Sequence, residues 1–246
     1  VDKAQVVFPS TAARKTVIVN NKSSGGSTRI NSMTLGEPTA GGGYTFTKSG
    51  TIDLEFYGQL PDGTNSNSFL LAYGNNTISA PVTATSGSLP ITVNRVDGAG
   101  LLTFNAPTGY PVALKNTQIY GDGDVEFKGA GVDPTAAGVG PYTFNMSGTG
   151  TLRFSAPVVR VAGTNNGWNT VKLNSGTTYF NSTFTPSKSG VASLMTVNGA
   201  AAFLGGTGTI TTNSGAVNIG TLAGDPLTQY YGIVSPGDPT INDIGT

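Results

Sequence analysis

The sequence predicts an all-β protein, a parallel and right-handed β-helix wound as a solenoid. Three observations carry this. Short alternating apolar segments recur along the chain, no stretch holds a helical period, and the pattern repeats itself. Gly and Pro supply 36 and 14 of the 246 residues, yet 37% of the chain is hydrophobic. Disordered chains lack that apolar content.

The strand segments are, in order, "TVIVN" (16–20), "TIDLEFYG" (51–58), "ITVNRV" (91–96), "LLTFNA" (101–106), "DVEFKG" (124–129), "TLRFSAPVVRV" (151–161) and "TITTNSGAVNIGT" (209–221). Each is bordered by Gly, Pro, Asn or Ser. In a solenoid the inward positions are Val, Ile, Leu, Phe and Ala, and the outward ones Thr, Ser and Asn. Gly and Asn take the corners, which need positive φ. A beat of about 15–25 residues implies roughly ten turns, which at about 4.8 Å per turn make a rod of about 50 Å. Tandem β-sandwiches of about 100 residues each share this alternation and are the alternative. The right hand follows from the crossover rule for parallel strands.

"YTFTKSGTIDLEF" starts at Tyr44 and "YTFNMSGTGTLRF" at Tyr142, 98 residues later. This divides the solenoid, 44–246, into two diverged units, 44–141 and 142–246. Residues 1–43 depart from the pattern and carry Lys3, Arg14, Lys15 and Lys22, so they read as an N-terminal cap or docking segment. No charge falls between Ser189 and Gly224, a run that reads as scaffold turns.

Thirteen basic and thirteen acidic residues make up 11% of the chain and give a formal net charge of zero. That argues against nucleic acid, which selects clustered Lys and Arg. It also weakens the repulsion that keeps copies apart. Without His or Cys the chain has no disulfide, zinc–thiolate or imidazole chemistry. No run of about 18 apolar residues is present, so no membrane insertion of this portion is expected. The chain starts at Val1 rather than Met, which reads as a leader removed or a trimmed start, with any anchor outside it.

"GNNTISA" (74–80) followed by Val82 resembles the opening of autotransporter-associated β-strand repeats. "SGTIDLEF" (49–56) and "SGTGTLRFSA" (147–156) resemble their strands, and "TVNGAAAFLGGTGTI" (196–210) and "GIVSPGDPTINDIGT" (232–246) resemble their C-terminal motifs. The likeness covers most of 44–246. It implies an exported, parallel β-helical passenger or surface protein of a Gram-negative-type bacterium.

Paired carboxylates are the candidates for chemistry. Asp53 and Glu55, and Asp122, Asp124 and Glu126, have the i, i+2 spacing that puts side chains on one strand face. Such pairs serve glycoside hydrolysis or, with calcium and a base such as Lys128 or Arg153, polysaccharide cleavage. The plainer reading makes them solvated outward positions beside turns. "GDGD" (121–124) makes Asp122 and Asp124 weak calcium candidates, although the loop lacks the full calcium-binding repeat. Trp168 and Tyr230 are candidate glycan contacts, although a lone Trp beside the Gly–Asn loop of "GTNNGWNT" (163–170) reads first as a packed loop anchor. Four Asn-x-Ser/Thr sequons, at Asn21, Asn75, Asn145 and Asn181, are expected by chance in this composition.

The expected function is structural: an extracellular, non-enzymatic solenoid without cofactor that self-assembles head to tail into a surface fibre or sheath. Residues 1–20 are the candidate segment crossing to a neighbour. The candidate assembly residues are Val6, Phe8, Val17 and Val19 at one end and Ile241 and Ile244 at the other. A passenger-type adhesin that binds glycans or a host surface is the alternative, and a polysaccharide-active β-helix enzyme the third.

Overall fold

The computed structural model describes residues 4–19, 28–49, 53–58, 62, 64, 67–84, 88–134, 142–159, 167–187, 193–197, 201–212, 215–219 and 233–236. These form twenty-five strands and no helix. The chain winds as a prism with three faces, each a parallel ladder.

The first turn is β1 (Ala4–Phe8), β2 (Thr16–Val19) and the opening half of β3 (Thr28–Glu37). The closing half of β3 begins the second turn and is followed by β4 (Ala40–Gly41), β5 (Thr45–Lys48) and β6 (Leu54–Phe56). Five further turns place one strand on each face in order. They are β7 (Phe69–Tyr73), β8 (Asn76–Ile78) and β9 (Val82–Ala84); β10 (Ser88–Asn94), β11 (Leu101–Ala106) and β12 (Val112–Ala113); β13 (Asn116–Tyr120), β14 (Asp124–Gly129) and β15 (Val132–Asp133); β16 (Tyr142–Met146), β17 (Thr151–Phe154) and β18 (Val158–Val159); β19 (Trp168–Leu173), β20 (Gly176–Phe180) and β21 (Phe184–Thr185). Then β22 (Leu194–Val197) and β23 (Ala202–Gly206), and β24 (Val217–Ile219) and β25 (Ile233–Pro236), extend the first two faces.

The described residues therefore form about seven full turns, fewer than the ten expected, because each is longer than the sequence beat suggested. Val132, Val158 and Phe184 are register partners 26 residues apart. The expected strand "TLRFSAPVVRV" divides into β17 and β18, which lie on adjacent faces with a corner between them. Nine strands on a face at the usual spacing make the prism about 43 Å long.

The 98-residue likeness does not mark equivalent positions. Thr45 and Phe46 lie on the second face, where β5 pairs with β8, whereas Thr143 and Phe144 lie on the first, where β16 pairs with β19. Leu54–Phe56 lie on the third face and Thr151–Phe154 on the second. The same inward–outward alternation suits any face, so segments match one face out of phase. The ladders cross residue 141 without a break, through β13–β16 and β14–β17. Nor is 4–43 set apart from the solenoid: β1 and β2 continue its parallel ladders.

Side chains of one row stack on the next. On the second face the inward row contains Phe104, Phe127, Phe154 and Phe180. Their rings are 5.0, 5.2 and 5.1 Å apart and within about 11° of parallel. The neighbouring inward row is Leu102, Val125, Leu152, Thr178 and Leu204. Thr178 is fully buried and its Oγ1 has no hydrogen-bond partner. Valine fills nearly the same shape without a polar group to desolvate. Thr178→Val should stabilise the fold by about 1–2 kcal/mol, read as a higher urea midpoint at unchanged slope.

Asparagine and aspartate hold the corners. Asn76 accepts from the Tyr44 amide at 3.0 Å and donates to the Tyr73 carbonyl at 3.0 Å. Asn75 Oδ1 accepts from the Leu101 amide of the next turn at 3.0 Å. The pair in "GNNTISA" thus staples three successive turns together.

Candidate assembly site at the N-terminal edge

Among the described residues, the first turn leaves part of the core open. Its three strand segments each pair on one side only: β1 with β3, β2 with β5, and Thr28–Ile30 of β3 with β6. Alternation sends Val6, Phe8, Val17 and Val19 inward, while Val7 and Ile18 point outward and are 64% and 58% exposed. The inward residues line an apolar cavity of about 290 Å³, with Thr28 and Ile30 on the third side. Its floor is the second turn, where Met33, Phe46 and Leu54 lie below Val6, Val17 and Thr28. All four N-terminal assembly candidates therefore meet at one mouth. Ile241 and Ile244 lie outside the described residues.

The mouth is braced from beneath. Phe8 packs on Tyr44 and Phe46 with ring centroids 5.3 and 5.1 Å away. The Tyr44 hydroxyl donates to the Pro9 carbonyl at 2.6 Å, and burial raises its pKa above the ordinary tyrosine value. Lys15 donates to the Ser10 carbonyl and sits 4.7 Å above the Tyr44 ring. The sequence contained no sign of Ile30 as a third wall, because the strand leading to it turns a corner inside β3.

The remaining candidates are placed elsewhere. Trp168 is fully buried, its Nε1 donates to the Lys115 carbonyl at 2.7 Å, and its ring packs 4.6 Å from Phe144. It is a core anchor and cannot stack on a sugar. Tyr230 lies outside the described residues.

Glu55 is not a solvated outward position. It is 4% exposed and accepts from Arg29 Nε at 2.7 Å, an ion pair between adjacent turns of the third face. Asp53 accepts from the Thr83 hydroxyl at 3.1 Å. Asp122 and Asp124 converge on Arg95: Asp122 Oδ1 accepts from its amide at 2.8 Å and Asp124 Oδ1 from its guanidinium at 2.9 Å. Asp124 also accepts from the Thr151 amide at 2.7 Å. These carboxylates act as inter-turn staples. Among the described residues no group of three or more acidic side chains is placed to hold a metal ion. Glu126 pairs with Lys128 at 3.1 Å, and Arg153 stacks 5.3 Å from the Tyr179 ring. Asp53 and Glu55 belong to the second turn and the third face, whereas Asp124 and Glu126 belong to the fifth turn and the second face. The two acidic sets do not meet.

No protein-family model, curated protein or solved structure matches the chain.

Proposed function

We propose that this chain is an extracellular structural protein, a β-solenoid subunit that stacks head to tail into a fibre or sheath on the surface of a Gram-negative-type bacterium. It works by its stiffness and surface, without enzymatic activity or a cofactor. The observation that carries this reading is the first turn, whose three strand edges surround an apolar mouth. Unpaired strand edges are templates for another chain, and native proteins usually blunt them with charge, proline or a covering element. Here Val7 and Ile18 are apolar and exposed instead. The resemblance to autotransporter-associated β-strand repeats supports the surface location.

Sedimentation velocity over a concentration series tests the proposal. The wild type should shift from short rods to long polymers as concentration rises. Val17→Glu puts a charge in the mouth and should raise the concentration needed by at least tenfold, with an unchanged far-ultraviolet spectrum. Val159→Glu, on the exposed third face, should not change it. A wild type that stays as single rods at every concentration would contradict the proposal, and glycan binding along the lateral faces would then favour an adhesin.

A further inference from the structure

Two buried polar side chains meet at the corner where the chain passes from the third face to the first. Asn31 is fully buried within β3, and Ser68, just before β7, is 1% exposed. Ser32 and Phe69 are register partners, so the residues before them, Asn31 and Ser68, lie on adjacent turns. Met33 and Leu70 face the core in the same two strands, and alternation carries Asn31 and Ser68 to that inward row. Among the described residues nothing bonds to Asn31 Oδ1, Asn31 Nδ2 or Ser68 Oγ. The ladder is interrupted at the same point. β1 pairs Ala4 with Ile30 and Gln5 with Ser32, so Asn31 is the extra residue of a bulge and faces no residue of β1. On the other side Leu70 pairs with Ile91, which puts the buried Leu89 next to Ser68 in the row. Other corners are closed by direct bonds: Asn116 Oδ1 accepts from the Thr143 amide at 2.8 Å, and Asp124 Oδ1 from the Thr151 amide at 2.7 Å.

We propose that Asn31 and Ser68 form the binding site of an internal water, which bridges adjacent turns at this corner. The chemistry of the three atoms selects the ligand. Nδ2 can only donate, Oδ1 can only accept, and the Ser68 hydroxyl does either. A cation leaves Nδ2 unmatched, and an anion leaves Oδ1 unmatched. The ligand must both donate and accept, and it must fit between two stacked turns. Water meets both conditions, and a buried water holds about three hydrogen bonds to groups of this kind. Without it each polar atom carries its full desolvation cost. Thr178 is the contrasting case. Its neighbours in the inward row are Leu152 and Leu204, so its hydroxyl has no polar row partner with which to share a water. Replacing Thr178 by valine therefore removes an isolated polar group, whereas an apolar residue in place of Asn31 or Ser68 removes one arm of a bridge.

Nuclear magnetic resonance of the isotope-labelled full chain tests the assignment. The Asn31 side-chain amide, assigned through its own backbone, should show a nuclear Overhauser cross-peak to water, with the sign of a molecule that tumbles with the protein. Urea unfolding gives the second readout. Ser68→Ala and Asn31→Leu should each lower the midpoint at unchanged slope, because each leaves the water and the remaining polar group short of a partner. The double variant removes every side-chain atom the water serves. It should therefore be more stable than the sum of the two single losses predicts. Dry polar groups give the opposite pattern: each single substitution raises the midpoint, as expected for Thr178→Val. A wild type whose Asn31 amide lacks the water cross-peak would overturn the assignment, and so would single variants that both raise the midpoint. The cross-peak is read on the wild type, so the test stands even where a variant fails to fold.

Discussion

Gly150→Ala should destabilise the protein by about 3 kcal/mol or more. A Cβ at Gly150 would lie 1.9 Å from the carbonyl oxygen of Gly123 in the turn before. The obstacle is backbone, so no side chain can swing away. The Gly150 carbonyl in turn accepts from the Thr177 amide at 3.1 Å, and a Cβ at Gly176 would come within 2.6 Å of that oxygen. One corner of the prism is thus a column of glycines in carbonyl contact over three turns. Forcing the turns apart there breaks ladder hydrogen bonds on both adjoining faces, and overpacking of this severity exceeds the usual range of about 1–3 kcal/mol. Gly109→Ala is the control. Gly109 has φ of 82° but nothing within 4 Å of its Cβ position, so only the left-handed backbone is penalised, by about 1–2 kcal/mol. Equal losses in thermal or urea unfolding would show that the glycine column has no special role.

Phe154→Ala should lose about 4–5 kcal/mol and split the unfolding transition in two. Phe154 is 1% exposed, stacks between Phe127 and Phe180 at 5.2 and 5.1 Å, meets Phe144 edge-on at 5.7 Å and packs on the tilted ring of Phe184 at 5.6 Å. Removing a buried Phe costs about 3–5 kcal/mol, and each aromatic pair adds about 0.5–1.5 kcal/mol. A solenoid is stabilised by nearest-neighbour contacts between turns, so a cavity in mid-array uncouples the two halves. Phe104→Ala, at the end of the stack with one parallel partner, Phe127 at 5.0 Å, should lose less and keep a single transition. Calorimetry separates the two. If Phe104→Ala and Phe154→Ala unfold alike, the stack is not the continuous spine described here.

The architecture was legible because its cause is local. Alternation in "LLTFNA" and "DVEFKG" fixes which residues face the core, and those segments became β11 and β14 with Phe104 and Phe127 inside. The number of turns was not legible. A turn closes when the third face is complete, and that face consists of two- and three-residue strands such as Val112–Ala113 and Val158–Val159. Strands that short have no period to read. The same blindness made the 98-residue likeness look like a domain repeat when it is a match between different faces.

The mouth was partly legible. Val6, Phe8, Val17 and Val19 stood out by alternation in a segment of unusual composition, but their meeting with Ile30 depends on the bend within β3. Glu55 was misjudged, and the cover over Trp168 could not be read from its own segment, for one reason. A side chain's direction follows from strand register, but its cover comes from neighbouring turns. Trp168 is enclosed by Lys115 and Phe144 of earlier turns and by Phe184 from another face of its own turn, and Glu55 by Arg29 of the first turn.

The most direct measurement is X-ray fibre diffraction from oriented, concentrated protein. Head-to-tail stacking should place the reflection near 4.8 Å on the meridian, since strands then lie across the fibre axis, with an axial subunit repeat of about 43 Å from the nine described strands on each of the first two faces. An unoriented pattern from isolated rods, or the strand spacing on the equator, would contradict an account in which the first turn of one copy continues the last turn of another.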